Sequence, residues 1–274
     1  MKSKSKMIKH YENVSQKIRA AKNIVIVGAG SVGLEYAGEI KDLYGDLKDV
    51  TLVTSELSLF SSGKPMMPAK FGKAVQDRMD EMGVKIIFGD RVSDLSASTH
   101  GMIENITSVK LASGTEVPAD LCIISVGVTT KDNLPMFPVE WIDETNGLLN
   151  VKESGTFQVT GTENIFAIGD CTNIEETKLA ALEKWATPIL GANIKSLVSG
   201  QKAKKIYKPN TLVFSSLPFG ETKGVTQLPF GTFGNWVSRM LKANDLFSSK
   251  QFQALNQIAP KVPTNWKETF LAEK

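Results

Sequence analysis

Residues 24–40 read IVIVGAGSVGLEYAGEI, and this stretch decides the fold of the first half of the chain. Its four leading β-branched residues predict a short buried strand, and a glycine-rich loop follows without a break. Beyond the loop, Val32, Tyr36 and Ile40 share one apolar stripe at helical spacing, which predicts a helix. Residues 50–53 form a second apolar run. The order strand, glycine loop, helix, strand predicts a β-α-β unit with parallel strands.

The glycines of this loop have the spacing Gly-x-Gly-x-x-Gly, and each has a physical task. Gly28 permits a tight turn out of the strand, Gly30 lets a pyrophosphate approach the backbone, and Gly33 allows close packing of the helix on the strand. The first helical residues, Ser31 and Val32, offer unpaired N–H groups to phosphates at the positive end of the helix dipole. The loop therefore predicts a dinucleotide-binding site.

The residue that contacts the adenosine ribose should follow the second strand. An acid about 20 residues after such a loop accepts the ribose hydroxyls of NAD and repels the 2′-phosphate of NADP. Thr54 stands at this position, and the nearest acid, Glu56, comes two residues later. Because no arginine accompanies Thr54 either, we expect both NADH and NADPH to bind, with weak discrimination.

The rest of the chain continues the alternation of strands and helices, as in a three-layer Rossmann-like fold. From residue 207 the composition shifts to turn-rich strands, followed by an amphipathic stretch at 233–241. The predicted helices cover residues 7–22, 68–82 and 179–197, the predicted strands 84–88, 121–126 and 165–168, and a predicted hairpin joins 108–111 to 116–119.

Charge is distributed unevenly along the 274 residues. Residues 1–22 carry seven Lys and Arg against one Glu, and residues 195–274 carry twelve against four acids, so both ends are basic and the middle is acidic. Basic flanks attract anionic surfaces, but no motif that reads nucleic acid is present, and we predict no nucleic-acid partner. No apolar run approaches the roughly 20 residues that a membrane-spanning helix needs.

The cysteines and histidines do not form a metal or redox motif. Cys122 and Cys171 are far apart and not in a Cys-x-x-Cys pair, and His10 and His100 have no metal-ligand spacing. We predict no metal site and two reduced thiols. Reduced thiols are typical of a cytoplasmic protein.

Five segments of the chain follow one another in a specific order. After the glycine-loop stretch come VTLVTSE at 50–56, GVKIIFGDRV at 83–92, TSVKLASGTEVPADLCIISVG at 107–127 and TENIFAIGDCTN at 162–173. This order resembles that of the flavin-dependent pyridine-nucleotide oxidoreductases, and in particular their apoptosis-inducing-factor-like branch, which includes NAD(P)H:quinone oxidoreductases. The later segments YKPNTLVF and KANDLF are also similar to that branch. The resemblance covers roughly residues 15–250.

The resemblance implies roles for individual residues. It places Gly127 beside the nicotinamide, and Gly169 and Asp170 at the ribityl or pyrophosphate region of a flavin. It places Glu35 near the nicotinamide and flavin, where this acid orients the ring or relays a proton. The alternative for Glu35 is purely local, because the dipole favours any acid in the first turns of a helix.

The family builds its FAD domain in two pieces, before and after the NAD domain. Only the returning piece, which ends at Gly169–Asp170, is expected in this sequence, because the single glycine loop lies close behind the basic lead-in. We therefore expect NAD(P)H to bind well and FAD poorly. Without its partner strands, the strand at 165–168 is expected to expose its apolar side chains.

The predicted fold class is α/β, with a Rossmann-like NAD(P)-binding domain of three layers, the remnant of a two-piece FAD domain, and a small α+β C-terminal region. The predicted segments are a basic N-terminal helix at 1–22, the NAD(P)H-binding domain at 23–130, the linker and C-terminal part of the FAD domain at 131–205, and the C-terminal domain at 206–274.

The function implied by the resemblance is transfer of hydride from NAD(P)H to FAD and of electrons onward to a quinone or similar small acceptor. The alternative is a truncated, catalytically inactive fragment that binds NAD(P) or a partner but no FAD. Aromatic and cationic residues between Phe230 and Lys242 leave open a peripheral contact with a membrane or a buried role in the core. The sequence also leaves open whether the chain forms a homodimer.

Overall fold

The structure is a computed structural model of the chain. It describes residues 3–62, 66–93, 101–127, 136–152, 155–176, 183–243, 252–253, 256–258 and 265–272. These residues group into two compact units. The first contains the described parts of residues 1–127 and 214–274, and the second contains those of 128–213. The four-segment division predicted from the sequence stays a prediction.

A five-stranded sheet forms the centre of the first unit, in the order β3 (Val84–Ile87), β2 (Asp49–Val53), β1 (Asn23–Val27), β7 (Leu121–Ile124) and β4 (Gly101–Glu104). Strands β1, β2, β3 and β7 are parallel, and β4 runs antiparallel to β7 at the edge. In the sequence, two further strands come between β4 and β7. They are β5 Ser108–Lys110 and β6 Glu116–Pro118, which form a separate hairpin.

Helices cover the sheet, and a small second sheet follows. The helices are α1 Lys4–Ala20, α2 Ser31–Tyr44 and α3 Ala69–Glu81. The second sheet has the order β10-β9-β8 and is antiparallel. Its strands are β8 Ser215–Phe219, β9 Lys223–Leu228 and β10 Gly231–Phe233, followed by α5 Asn235–Ser238, a π-helical turn at Arg239–Ala243, and the helix α6 at Trp266–Ala272.

Strand β1 is buried on both faces, as its unbroken β-branched run predicts. Ile24 and Ile26 belong to the core cluster that α2 closes with Leu34. Val25 and Val27 belong to the opposite cluster, which contains the hairpin. Full burial of each such side chain contributes about 1.5–3 kcal/mol, so β1 is held firmly between two layers. This rigidity fixes where the glycine loop begins.

The strand β4 was missed in the sequence prediction. Residues 101–104 pair antiparallel with β7, in the register Gly101↔Ile124. The strand has only two apolar residues, Met102 and Ile103, between glycine and glutamate. So short a run carries too little periodicity to stand out from a loop.

In its described residues, the second unit contains one long helix, α4 at Glu183–Val198, and irregular segments joined by isolated bridges. The predicted helix at 179–197 agrees with α4 where the chain is described, and residues 179–182 lie outside the described part. The helix continues through Pro188.

The predicted strand at 165–168 was wrong as a regular strand. Phe166 forms a single antiparallel bridge with Gln158, and the flanking hydrogen bonds join Val159 to Ile165 and Ala167 to Phe157. Phe157 has a φ of 69°, which interrupts the regular ladder on that side. The expected exposure was also wrong. Ile165, Phe166 and Ile168 are half-buried and pack on the local clusters of this unit.

Candidate functional site

A cleft lies at the point where the strand order of the main sheet reverses. After β1 the chain moves outward through β2 and β3, then returns to the other side of β1 with β7. The carboxyl ends of β1 and β7 therefore border a crevice, where open α/β sheets bind their ligands. The cleft has a volume of about 320 Å³. Its described lining is Gly28, Ala29, Gly30, Thr54, Ser55, Glu56, Ser58, Leu59, Phe60, Ser62, Ser125, Val126 and Gly127.

The three loop glycines differ in what surrounds them. Gly28 has a φ of 102°, and a side chain there would lie 2.8 Å from the carbonyl oxygen of Ser125. A Cβ on Gly33 would lie 2.0 Å from the carbonyl oxygen of Gly28. A Cβ on Gly30, by contrast, would meet no atom of the described residues within 4 Å. Gly28 and Gly33 are thus required by the fold, whereas no described atom restricts the side chain at position 30.

Helix α2 begins at the floor of this cleft. Gly30 is its N-cap, with φ −75° and ψ 179°, and it has no side chain to pair with the first N–H groups of the helix. Ser31 and Val32 are exposed at this end. Neither of them is among the residues that line the cleft, and Val32 lines a groove along α2 instead. That their N–H groups bind a pyrophosphate stays a prediction.

Ser125, at the end of the neighbouring strand β7, holds the loop in place, a role that was not predicted from the sequence. Its hydroxyl lies 2.9 Å from the carbonyl oxygens of both Val27 and Gly28. These contacts connect the end of β7 to the turn that leaves β1. A polar residue directly after an apolar strand was the available signal, but the partner strand could not be known from the sequence.

The end of β2 has two polar residues with different roles. Thr54 is buried, and its hydroxyl accepts a hydrogen bond from the N–H of Glu56 at 3.2 Å, so it stabilises the turn. Glu56 also lines the cleft. Hydrogen bonds from the hydroxyls of Ser61 and Ser62 hold the pKa of Glu56 below its ordinary value, and the nearby positive charge of Arg91 acts in the same direction. A carboxylate therefore faces the cleft after all, two residues later than the expected position.

The remaining predicted site residues are distributed over three places. Gly127 lines the cleft. Glu35 lines a different, apolar groove along α2. Gly169 and Asp170 belong to the second unit, where Gly169 has a φ of 82° and its carbonyl oxygen accepts a hydrogen bond from Thr172 at 2.8 Å, and Asp170 is exposed.

Neither a metal cluster nor a membrane-spanning helix was found in the part of the chain that the structure describes. No group of three or more His, Cys, Asp or Glu side chains there could hold a metal ion. None of the helices there is both long and apolar enough to cross a bilayer. Of the two thiols, Cys122 is buried in β7, and burial raises its pKa to about 11.

Residues 2–184 match the family described as pyridine nucleotide-disulphide oxidoreductase. The chain belongs to this family. The match includes both strands that border the cleft and the whole glycine loop. The α/β fold with a Rossmann-like domain, predicted from the sequence, is confirmed.

Two curated relatives support the apoptosis-inducing-factor-like branch. The chain is 32% identical to human ferroptosis suppressor protein 1 over 258 residues, which cover 94% of this chain and 67% of the relative. It is 31% identical to apoptosis-inducing factor homolog B of Dictyostelium discoideum over an alignment of 275 positions, which covers 94% of this chain and 70% of that protein. The resemblance stated from the motifs is confirmed. The chain spans about two thirds of the length of these relatives.

A solved structure shows the same fold. The FAD-dependent pyridine nucleotide-disulphide oxidoreductase from Desulfovibrio vulgaris matches with a TM-score of 0.57 at 20% identity, over 81% of this chain and 53% of that one.

Proposed function

We propose that the cleft binds NAD(P)H and that the chain acts as the nicotinamide-nucleotide-binding part of a flavin-dependent NAD(P)H oxidoreductase with a quinone or similar small acceptor. The observation that carries the proposal is the open space beside Gly30, at the N-terminus of α2 and at the reversal point of the sheet. Membership of the family supports the reaction type. The resemblance to the apoptosis-inducing-factor-like branch supports the choice of acceptor.

The residues of the cleft fit the nucleotide. NAD(P)H supplies a hydride when it is bound. The backbone at Gly30 and the N–H groups of Ser31 and Val32 hold the pyrophosphate. Glu56 accepts hydrogen bonds from the adenosine ribose. Gly127 leaves room at the carboxyl end of β7 for the nicotinamide half, since no described atom lies within 4 Å of where its Cβ would be.

The described residues fit a flavin less well. Outside the loop at 28–33, the chain has no second Gly-x-Gly-x-x-Gly. Among the described residues, the turn at Gly169–Asp170 is the only feature that the resemblance assigns to FAD, and one turn is too little to hold a dinucleotide. The flavin therefore enters this proposal only as the expected acceptor of the hydride.

The test combines NADH titration of the purified chain with its visible absorbance under nitrogen. Saturable NADH binding with a flavin band that bleaches on addition of NADH supports the full oxidoreductase. Saturable binding by a colourless chain supports a nucleotide-binding part that depends on a flavin supplied by other protein. Absence of NADH binding would refute the proposal.

We also propose a peripheral membrane contact through an aromatic surface of the first unit. Phe230, Trp236 and Met240 expose 79%, 75% and 62% of their surface, and Arg239, also exposed, precedes Met240 in the sequence. Apolar rings beside a cation are typical of contacts with the headgroup region of a bilayer. The high exposure of these three side chains supports contact with a membrane surface rather than a role in the core.

Flotation with vesicles that contain anionic lipid tests this contact. The chain should float with the vesicles, and Trp236→Ser should leave most of it at the bottom of the gradient. Trp185→Ser is the matched control, because Trp185 is exposed on α4 in the other unit. Wild-type protein that stays at the bottom would rule the contact out.

A further inference from the structure

The turn after β2 is joined to the segment after β3 by hydrogen bonds that continue the parallel ladder beyond both strands. The N–H of Gly89 donates to the carbonyl oxygen of Glu56 at 2.9 Å, and the N–H of Asp90 donates to that of Thr54 at 3.1 Å. The next residue along the chain is Arg91. The ladder therefore brings the backbone of an arginine to the edge of the sheet where Glu56 stands.

The backbone of Arg91 is fixed on its other side as well. Its N–H donates to the carboxylate of Asp90 at 2.8 Å, and its carbonyl oxygen accepts a hydrogen bond from the N–H of Ala112 at 2.7 Å. The following residue, Val92, forms an antiparallel bridge with Leu111 of the hairpin segment. Arg91 is nevertheless exposed. A well-held backbone thus presents a cationic side chain at the surface.

The charge of Arg91 acts on the carboxylate that faces the cleft. Hydrogen bonds from Ser61 and Ser62 are the main causes that lower the pKa of Glu56, and the positive charge of Arg91 adds to them. Glu56 lines the cleft, whereas Arg91 is not among the described lining residues. The arginine is therefore close enough to influence the ribose-binding acid, yet it stands outside the space proposed for the ribose itself.

An arginine in this position has a specific use. NADPH differs from NADH by a phosphate on the 2′-oxygen of the adenosine ribose, and an arginine near the end of β2 accommodates that phosphate in related nucleotide sites. The guanidinium is always charged, and its planar fork can donate to two phosphate oxygens at once. The sequence has no arginine beside Thr54 in β2, but the structure supplies one from the segment after β3.

The acid next to Arg91 is directed to other partners. Asp90 accepts hydrogen bonds from the N–H of Arg91 at 2.8 Å and from the N–H of Ser113 at 3.3 Å. Its carboxylate is therefore engaged with the backbone of its own turn and of the hairpin. Glu56 remains the acid that a 2′-phosphate in the cleft would meet, and Arg91 would offset its repulsion.

We propose that Arg91 binds the 2′-phosphate of NADPH, so that the cleft accepts both nicotinamide nucleotides. Glu56 accepts the ribose hydroxyls of NADH, and Arg91 holds the additional phosphate of NADPH. This inference rests on the proposed NAD(P)H site and adds the residue that determines its tolerance of NADPH. Arg91 has no part in hydride transfer.

The test uses four probes in calorimetric titrations of the full chain: NADH, NADPH, 5′-ADP and 2′,5′-ADP. The last two lack the nicotinamide and differ only in the 2′-phosphate. Arg91→Gln should weaken the binding of NADPH and of 2′,5′-ADP about 10- to 100-fold, as expected for the loss of hydrogen bonds between charged groups. The affinities for NADH and 5′-ADP should change by less than about threefold, the scale of an exposed charge pair.

The matched control removes the same charge elsewhere on β3. Lys85 is exposed in that strand and is not among the described residues that line the cleft. Lys85→Gln should leave all four affinities unchanged. Arg91→Lys keeps the charge but loses the planar fork, so it should restore only part of the affinity for NADPH.

A double variant separates contact with the phosphate from mere neutralisation of Glu56. If Arg91 binds the phosphate, Arg91→Gln should still weaken NADPH binding about tenfold in a chain that already carries Glu56→Gln. If the arginine only cancels the charge of Glu56, the effect of Arg91→Gln should disappear in that chain, and the proposal would be wrong.

Two other results would also overturn the proposal. An unchanged affinity of Arg91→Gln for NADPH would show that the arginine does not reach the phosphate. An equal loss of affinity for NADH and NADPH would indicate a general disturbance of the cleft. In both cases NADH binding by the wild type would leave the proposed nucleotide site standing, whereas a wild-type chain that bound neither nucleotide would refute both proposals.

Discussion

Gly30→Ala and Gly33→Ala add the same methyl group to the same loop, and the structure predicts opposite consequences for them. At Gly33 the new carbon would lie 2.0 Å from the carbonyl oxygen of Gly28, a backbone atom that cannot rotate away. Because carbon–oxygen contacts normally begin at about 3.3 Å, the loop and helix must separate by about 1.3 Å. Overpacking of this kind costs roughly 2 kcal/mol, which lowers Tm by roughly 5 °C.

At Gly30 the methyl group meets no described atom within 4 Å, and the backbone has angles that alanine adopts easily. The free energy of unfolding should change by less than about 0.5 kcal/mol. Alanine is a slightly poorer N-cap than glycine, but it also makes the unfolded chain less flexible, and the two effects nearly cancel. Binding should suffer instead, since the methyl group occupies the approach to the helix N–H groups. Loss of one hydrogen bond to a charged phosphate raises the Kd for NADH about 10- to 100-fold.

Thermal unfolding and NADH titration of both variants measure the two effects separately. Gly191→Ala is the matched control, because that glycine is exposed on α4 and also has open space around it. It should leave NADH binding unchanged. If Gly30→Ala bound NADH as well as the wild type does, the cleft would not be the pyrophosphate site. An unchanged Tm for Gly33→Ala would contradict the close packing of helix and loop.

Three further predictions concern single side chains. Glu56→Gln should raise the affinity for NADPH relative to NADH about tenfold, because the carboxylate that repels the 2′-phosphate is gone; an unchanged ratio in paired titrations would exclude that role. Ser125→Ala removes both side-chain hydrogen bonds to the loop and should weaken NADH binding about tenfold, with little change in the circular dichroism spectrum. If this variant bound NADH with wild-type affinity, the loop would not need Ser125 to keep its shape. Hydrogen bonds from Thr145, then Asn173, lower the pKa of Asp143 from 3.8 to about 2. The stabilisation by ionised Asp143 is therefore complete above about pH 4 and is lost as the pH falls through 2. Over that range, the difference in urea midpoint between the wild type and Asp143→Asn should become smaller. A constant difference would contradict the lowered pKa of Asp143.

The elements predicted well from the sequence are those whose signals are local. The strand at 23–27, its glycine loop and helix α2 lie within 22 consecutive residues, and the structure has them at the predicted positions. The hairpin at 108–118 also carries its own turn. In each case the pattern of apolar residues and the turn chemistry act over a few neighbouring positions.

The features that were missed depend on distant parts of the chain. Ser125 and Glu56 acquire their places in the cleft from the order of strands in the sheet, which one sequence does not reveal. The small sheet packs on α2 where a Cβ on Gly38 would lie 2.6 Å from the Cβ of Phe219, a contact over 181 positions. The segment at 165–168 has the apolar run of a strand, but its observed partner is a nearby segment bent at Phe157.

The link between Ser125 and the glycine loop has a consequence for the order of folding. The two carbonyl groups that Ser125 contacts belong to residues 97 and 98 positions earlier in the chain. During synthesis, the loop is complete long before the serine that braces it exists. Contacts over such separations form late, since a long stretch of chain must first be ordered. The proposed nucleotide site is therefore complete only when β7 enters the sheet, and until then the glycine loop lacks its hydrogen bonds to Ser125.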